Sequence, residues 1–532
     1  MNFVMVLREI SEIVAKAVWT EFKVKTAPQI SYAEPKFGDF ATNISFELAK
    51  TLKQNPKQIA EGIASNIKHP QIEKASSVGG FVNIVVAESY WVDCLKKIKP
   101  GYGQSKPRKG QKVQVEFISA NPTGPLTLGN ARGGYLGDVL SRVLDHAGYK
   151  TTSEYYFNDA GTQISKLVES VKHQAGIIKA SQVEYQGKYI EELASDLKNE
   201  LKSRSDEDLA GILTKEVSRR YIKEAITRMG IEFDEWFNEK SLISSGELEK
   251  ALELLRKKGL TYEKDGALWL KSTDYGDERD RVLQKSNGDV TYLGTDIAYH
   301  LNIFEHRRFD RAIKIWGADH AGQVPSLNLT MKRLIPDCRL DFVIVQWVRL
   351  VQGGKEVKMS KRAGSFVTVD ELIDEIGSDV ARFFFLMRSA TSHMDFDLSL
   401  AKEQSQKNPL FYVMYSYVRA HSILAQAASK QLKPSNSLER LNTTESELVK
   451  YMTRLPDLIS EIAESYEVHH LSFFATQLAK KFHDLYESER IIDLNQETAE
   501  CKLYLIQQYI TFMEILFNII GVTPIKKMEP KV

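Results

Sequence analysis

The chain has 532 residues, too many for one hydrophobic core, and that length predicts roughly two to four domains. Hydrophobic residues make up 43% of it and charged residues 27%, the balance of an ordinary soluble globular protein. The formal net charge of +1 excludes a uniformly basic nucleic-acid binder, yet leaves room for local basic patches on a large molecule. Cys94, Cys338 and Cys501 lie far apart without a Cys-x-x-Cys pair, which argues against structural zinc and a disulfide framework and fits a reducing compartment. Met1 to Trp19 lacks the apolar core and small-residue cleavage site of a signal peptide. No stretch approaches the roughly 20 uninterrupted apolar residues that span a bilayer.

In chain order, Val4, Leu7, Ile10, Ile13, Val14 and Ala17 recur at helical spacing. Phe40 to Leu52 repeats that pattern, and Asn55-Pro56 opens a helix over Gln58 to Ile67. Phe81 to Val86 predicts a strand, and the Gly-, Pro- and Lys-rich Lys99 to Lys112 a linker. Val113 to Ile118, a β-branched and aromatic run, predicts the first strand of a second domain. After the turn Asn121-Pro122-Thr123-Gly124-Pro125, apolar positions at Leu136, Val139, Leu140, Val143 and Leu144 mark a helix stopped by Gly148, and Thr151 to Phe157 predicts a second strand. Together they form a βαβ unit of the Rossmann kind, whose first turn is where nucleotides bind.

Residues 160 to 260 are charged and amphipathic, as in Ile190 to Leu201 and Asp208 to Met229, and predict a helical insertion. Ala267 to Leu270 and Arg281 to Leu283 predict paired strands, and Ala312 to Trp316 and Phe342 to Val345 parallel strands of a returning half-sheet. From about Gln404 onward helical periodicity dominates, in Leu448 to Ile462, with a break at Pro456, and in Leu503 to Ile519.

Two motifs carry chemistry. In Ala120 to Asn130 a strand and turn feed a helix whose first turn contains Gly129; free N–H groups there attract phosphate, and a residue without a side chain lets a ring lie on the backbone. The competing reading is close helix–sheet packing by Gly-Asn-Ala-Arg-Gly-Gly. In the second motif Lys358-Met359-Ser360-Lys361-Arg362 follows the polar Gln352-Gly353-Gly354-Lys355 loop and precedes Ala363-Gly364-Ser365. Two lysines three apart can close over a triphosphate and neutralise departing pyrophosphate. Alone, the second motif would read as a solvated basic loop; behind a nucleotide-type βαβ unit it reads as function.

These motifs, with Glu154 to Gly161, Asp296 to His300, Trp316 to His320 and Asp379 to Phe384, resemble the arginyl-tRNA synthetase family of class I aminoacyl-tRNA synthetases over nearly the whole chain. The resemblance implies an α/β Rossmann-type catalytic domain (108–400) with a helical insertion (about 160–260), a small α+β N-terminal domain (1–95) and an all-α C-terminal bundle (404–532). It implies ATP-dependent activation of L-arginine to arginyl-adenylate and transfer to the 3′ end of tRNA(Arg), with Mg2+ accompanying ATP and no dedicated protein metal cage. Phe37 to Asn43 resembles the segment that contacts the corner of tRNA. A cytoplasmic monomer without a membrane anchor is expected.

A guanidinium is a planar fork of donors, so its pocket needs carboxylates and neutral acceptors in fixed positions. By resemblance Glu116, Ser119, Asn121, Tyr292 and Asp296 fall there, with Asp319 and His320 nearby. Asn121 before Pro122 is also a common turn residue, and Tyr292 and Asp296 are also helix-surface neighbours. Such a pocket rejects lysine without proofreading, and the insertion carries no evident hydrolytic constellation. The ATP site implied comprises Pro125, Thr127, Gly129, Asn130, Lys358 and Lys361, with Lys358, Met359, Ser360 and Lys361 as the catalytic segment. In the C-terminal part Tyr412 and Tyr415 suit stacking on anticodon bases, against the plainer reading that an aromatic stripe at helical spacing is core.

One departure stands out. Where the family carries His-x-Gly-His, this chain has Thr127-Leu128-Gly129-Asn130. Thr and Asn can donate hydrogen bonds but cannot become cationic. Losing a charge-assisted bond at about 1 to 2 kcal/mol each slows activation by roughly tenfold to a thousandfold unless neighbours compensate. Two alternatives follow: a non-catalytic paralogue that binds tRNA or arginine, or another class I synthetase or nucleotidyl transferase.

Overall fold

The structure, a computed structural model, describes residues 6–105, 111–158, 162–357 and 367–527. The N-terminal part packs helices Val6–Phe22, Ile44–Leu52 and Pro56–Asn66 on a four-stranded antiparallel sheet. Phe40–Thr42, expected to begin a helix, is a strand of that sheet; the helix starts two residues later at Ile44. Phe40 and Thr42 face the core there, a period of two that merges into the helical pattern behind it. Pro56 occupies the first turn of its helix, where its missing N–H costs nothing, and Asn55 caps it through Lys57 N at 2.9 Å.

The central layer is a five-stranded, all-parallel sheet. Strand β1 (Lys112–Glu116), helix α1 (Leu128–His146) and strand β2 (Lys150–Phe157) form the expected βαβ unit. Helix α2 (Thr162–Gln174) opens the insertion, and a short strand β3 (Glu235–Asn238) closes it by pairing with β2. The insertion is therefore not purely helical. Four residues with one polar side chain at each end, Glu235 and Asn238, carry too little alternation to be told from a loop. Helix α3 (Tyr292–Leu301) leads into β4 (Arg311–Gly317), and β5 (Arg339–Val345) lies at the far edge. The order β5-β4-β1-β2-β3 makes the chain leave β1 on one side and return on the other, so a crevice opens at the carboxyl ends of β1 and β4.

Helix α1 lies against this sheet through Val139, Leu140, Val143 and Leu144, all fully buried, each stabilising the fold by about 1.5–3 kcal/mol. A Cβ on Gly137 would overlap the Phe117 ring, and one on Gly134 would come within 2.9 Å of Ile118 Cδ1 and Met229 Cε. These two glycines set the helix–sheet distance.

After a hairpin of Val348–Gln352 and Lys355–Glu356 come α4 (Val369–Ile376) and α5 (Ser378–Phe385), then a helical bundle containing α6 (Pro409–Ser429), α7 (His469–Ser488) and α8 (Gln496–Ile520). The break expected near Pro456 is present, but the proline starts the second helix and does not end the first. It sits in the first turn of Leu455–Ser465, and the chain turns before it at Thr453 and Arg454. Helix α8 is long and apolar enough to cross a bilayer by composition, but 67% of its apolar window is buried as the core of the bundle. The N-terminal sheet docks on the bundle through Tyr32 Oη to Asp457 at 2.8 Å and Lys450 to Asp39 at 2.6 Å.

Candidate functional site

The crevice is built on one row of the sheet. Lys314 of β4, Glu116 of β1 and Glu154 of β2 are lateral neighbours in register, so all three side chains share a face. Lys314 Nζ donates to Glu116 Oε2 at 2.7 Å with both groups buried. Arg307 holds Glu154 through two donors. Helix α3 covers the row: Tyr299 donates to Glu154, and its ring lies 4.2 Å from Lys314 Nζ. On the same face of α3 come Asp296, one turn earlier, and Tyr292, two turns earlier.

Asp296 has neither a hydrogen bond nor an ion pair to its carboxylate among the described residues. Burial, with Glu116 and Glu239 nearby and Lys314 opposing them, pushes it up to about 8. His300 is driven the other way by burial, well below its ordinary value. Its Nδ1 lies 2.6 Å from the Asp296 carbonyl, so the ring is neutral and carries its proton there. Glu239, one residue past β3, accepts from Tyr156 Oη at 2.8 Å. Tyr292 is 56% exposed and stands at the mouth.

At the exit of β1 the backbone takes positive φ at two non-glycine residues, Ile118 at 67° and Ser119 at 39°. Such angles cost on the order of 1–3 kcal/mol each, and strain of this kind clusters at functional turns. The bend is held by the Tyr156 N–H donating to Ser119 Oγ at 3.1 Å and by Tyr155 Oη donating to the Ala120 carbonyl at 2.8 Å. Asn121 Nδ2 donates to Gln163 of α2 at 2.7 Å. Ser119 and Asn121, expected to face arginine, thus already carry contacts that shape the turn. Asp319 and His320 lie on the 3-10 turn after β4, exposed and 3.6 Å from each other. No hydrogen bond or ion pair among the described residues joins them to Glu116 or Asp296.

Beside this pocket, α1 points its N-terminus into the crevice. Thr127 is its N-cap, and both the Thr127 N–H and its hydroxyl donate to Asn130 Oδ1 at 2.9 Å. Gly129 is exposed, and a Cβ there would meet only Thr127 Oγ1 at 3.7 Å. Packing therefore does not demand that glycine, unlike Gly134 and Gly137; the two readings of the glycine-rich stretch apply to different residues. Pro125 lies half-buried in the turn before it. Thr127 also bridges Thr368, and Val369 N donates to the Leu126 carbonyl at 2.9 Å. The start of α4 is thereby fixed beside the start of α1. Lys358, Met359, Ser360 and Lys361 lie outside the described residues, between the Lys355–Glu356 strand and this anchored Thr368.

Away from the crevice, Tyr412 and Tyr415 are half-buried against His483 of α7, with ring centroids 4.7 and 5.9 Å away. Arg419 lies over Tyr415 and over Tyr486, which is 40% exposed. In the Phe37 to Asn43 segment Asp39 is structural, accepting from Val86 N at 2.8 Å, while Phe37 is exposed under Lys36.

Sequence reasoning missed Glu239 and Lys314. Glu239 was hidden because its strand was read as helix. Lys314 left a legible sign: a lysine inside Ala312-Ile313-Lys314-Ile315-Trp316, a strand apolar enough to be buried on both faces, requires a buried counter-charge.

Comparison with known proteins agrees along the whole chain. Residues 5–86 match the arginyl tRNA synthetase N terminal domain, 95–384 the catalytic domain of tRNA synthetases class I (R), and 413–528 the DALR anticodon binding domain. The chain is 40% identical to the arginine–tRNA ligase of Caldanaerobacter subterraneus subsp. tengcongensis, covering 98% of both. It is 36% identical to that of Oleidesulfovibrio alaskensis, over 96% of this chain and 97% of that one. The Thermus thermophilus arginyl-tRNA synthetase structure shares the fold, with a TM-score of 0.80, 20% identity, and coverage of 98% of this chain and all of that one. With a class I catalytic match over more than half its length and relatives of this identity from end to end, the chain belongs to the arginyl-tRNA synthetase family.

Proposed function

We infer that the chain is an ATP-dependent arginine–tRNA ligase, and that the observation carrying its amino-acid choice is the unpaired Asp296 carboxylate. Glu116 and Glu154 each have a resident cation, Lys314 and Arg307, whereas Asp296 has none among the described residues. A guanidinium seated there would give Asp296 its missing partner and donate further bonds to Glu239 and the Tyr292 hydroxyl oxygen. A lysine ammonium has no planar fork and would leave one or more acceptors buried without a donor, the situation in which hydrogen-bonding pockets discriminate best.

Two steps follow. The arginine carboxylate attacks the ATP α-phosphorus, a P–O bond forms and pyrophosphate leaves. The terminal ribose hydroxyl of tRNA then attacks the adenylate carbonyl, and AMP leaves with the bonding electrons. ATP enters as its magnesium salt. The α1 N-terminus supports phosphate binding through its free N–H groups, with Asn130 as the side-chain donor. Lys358 and Lys361 would neutralise the pyrophosphate, with Met359 and Ser360 as their spacers. Asp319 and His320 would act at the crevice rim, and Ser119 and Asn121 by shaping the turn under the arginine α-carbon. In the bundle Tyr412 and Tyr415 would position Tyr486 and Arg419 toward anticodon bases. The site is made within one chain, which supports a monomer, and three free cysteines suit the cytoplasm.

The test is arginylation of tRNA(Arg) with pure ATP, arginine and tRNA, wild type beside Asp296→Asn. Turnover with arginine that collapses in the variant is expected. Arginine binding without any arginyl-tRNA would instead favour a non-catalytic paralogue, the reading that Thr127 and Asn130 keep open.

A further inference from the structure

Arg382 belongs to a motif that the site above leaves unused. It lies on α5 and is 1% exposed. Its Nη1 donates to Asp138 of α1 and to the Ile520 carbonyl in the last turn of α8, at 3.4 Å for the latter. Its Nη2 donates to the carbonyls of Met229 and Gly230, at 3.0 and 3.1 Å, where the insertion returns toward the sheet. The guanidinium also lies 4.9 Å from the Tyr135 ring, again on α1. Asp138 is shared with Arg142, whose Nε donates to it at 3.0 Å and whose Nη1 reaches the Asn518 carbonyl of α8 at 3.3 Å. One carboxylate and two arginines thus tie together α1, α5, the end of the insertion and the C-terminus of the last helix. A cation pair is favourable there because the helix carbonyl end is negative.

The fit leaves no slack. Gly521, which ends α8 at a φ of 78°, lies so close that a Cβ on it would overlap Arg382 Nη1 and Cζ. Asp138 stands eight residues along α1 from Asn130, about 12 Å of helix. A rigid helix transmits a displacement at Asp138 to its N-terminal turn, the phosphate end.

We propose that Arg382 is a positioning residue for the phosphate site: it fixes α1 along its axis against the end of the C-terminal bundle. This rests on the ligase reading above, and wild-type arginylation is measured first, so that a failure of that reading is seen before any variant is made. The revealing variant is Gly521→Ala, which touches no residue of the crevice and disturbs the knot from the bundle side. Gly246→Ala is its control, because Gly246 has a similar φ of 71° with nothing within 4 Å of an added Cβ.

The expected result is that Gly521→Ala lowers kcat per active site or raises the ATP KM by about tenfold to a hundredfold, the range for small misplacements of catalytic geometry. The tRNA KM stays within about twofold and Gly246→Ala behaves as wild type. Arg382→Lys shows the same kinetic signature, and combining it with Gly521→Ala adds nothing, because the atoms that the new Cβ would overlap are gone. If Gly521→Ala changes only the melting temperature or only the tRNA KM, or if the two substitutions add, the proposal is overturned.

Discussion

Thr127 directs both of its donors, the backbone N–H and the hydroxyl, to a single acceptor, Asn130 Oδ1, each at 2.9 Å. A backbone N–H can only donate, so the amide oxygen must be the atom facing it and the amide nitrogen must face outward. Where the family has two imidazoles, this chain has a self-contained cap that exposes one neutral donor beside the free N–H groups of α1.

Substitutions at Asn130 separate the cap from the donor. Asn130→Asp keeps an oxygen for Thr127 but turns an acceptor toward phosphate. The expected outcome is an ATP KM or kcat worse by roughly tenfold to a hundredfold, the worth of one bond to a charged group, with an unchanged melting temperature. Asn130→Ala loses the cap as well and should cost about 0.5–2 kcal/mol of stability, read by denaturant unfolding. Thr127→His/Asn130→His should destabilise similarly while raising kcat.

Arginine binding should depend on pH through Asp296. With its value pushed up to about 8, the empty pocket holds a proton on this carboxyl at neutral pH, and seating a guanidinium expels it. Below about 8 the KM for arginine should therefore fall by up to about tenfold per pH unit as pH rises, and it should level off above. Kinetics from pH 6 to 9 test this, and calorimetry in buffers of different ionisation enthalpy should find a proton released on binding. A KM that is flat across that range would refute it, and Asp296→Asn should abolish the slope.

Lys314 should matter through Glu116 rather than by touching substrate. Lys314→Met leaves a buried carboxylate without its cation, a change expected to cost about 3–5 kcal/mol. Adding Glu116→Gln should return most of that stability in chemical denaturation, though not the affinity for arginine. If the single and double variants unfold at the same denaturant concentration, the pair is not coupled.

Glu239→Gln should raise the KM for arginine by roughly tenfold to a hundredfold while leaving that for ATP unchanged. Misacylation with lysine, measured by competition, should rise relative to arginine in this variant.

Much of this was legible in the sequence because its local signals are long. The βαβ unit, the parallel pair Ala312 to Trp316 with Phe342 to Val345, and the closing bundle all carry runs whose period is plain. Glu116 and Asp296 are expected together from family resemblance, and the structure brings them to one side of the crevice. What stayed hidden depended on tertiary pairing. Glu235–Asn238 becomes a strand only because β2 offers an open edge, and with it Glu239 enters the pocket. Pro56 and Pro456 are the same signal, a proline in a first turn; at Pro456 the expected break is present, displaced to Thr453 and Arg454 because the proline opens the second helix. The occupation of Asn121 by Gln163 could not be seen from either residue, since α2 reaches the turn only once the insertion folds.

The row Lys314–Glu116–Glu154 has a consequence for folding. Because the pocket floor consists of lateral neighbours in the central sheet, a one-residue slip of either strand pair would turn the charged groups to the opposite face. Strand register and the charge pattern of the crevice are set together. A slipped sheet would therefore bury Glu116 and Glu154 away from Lys314 and Arg307, so the two ion pairs act as a check on register as well as a lining for the crevice.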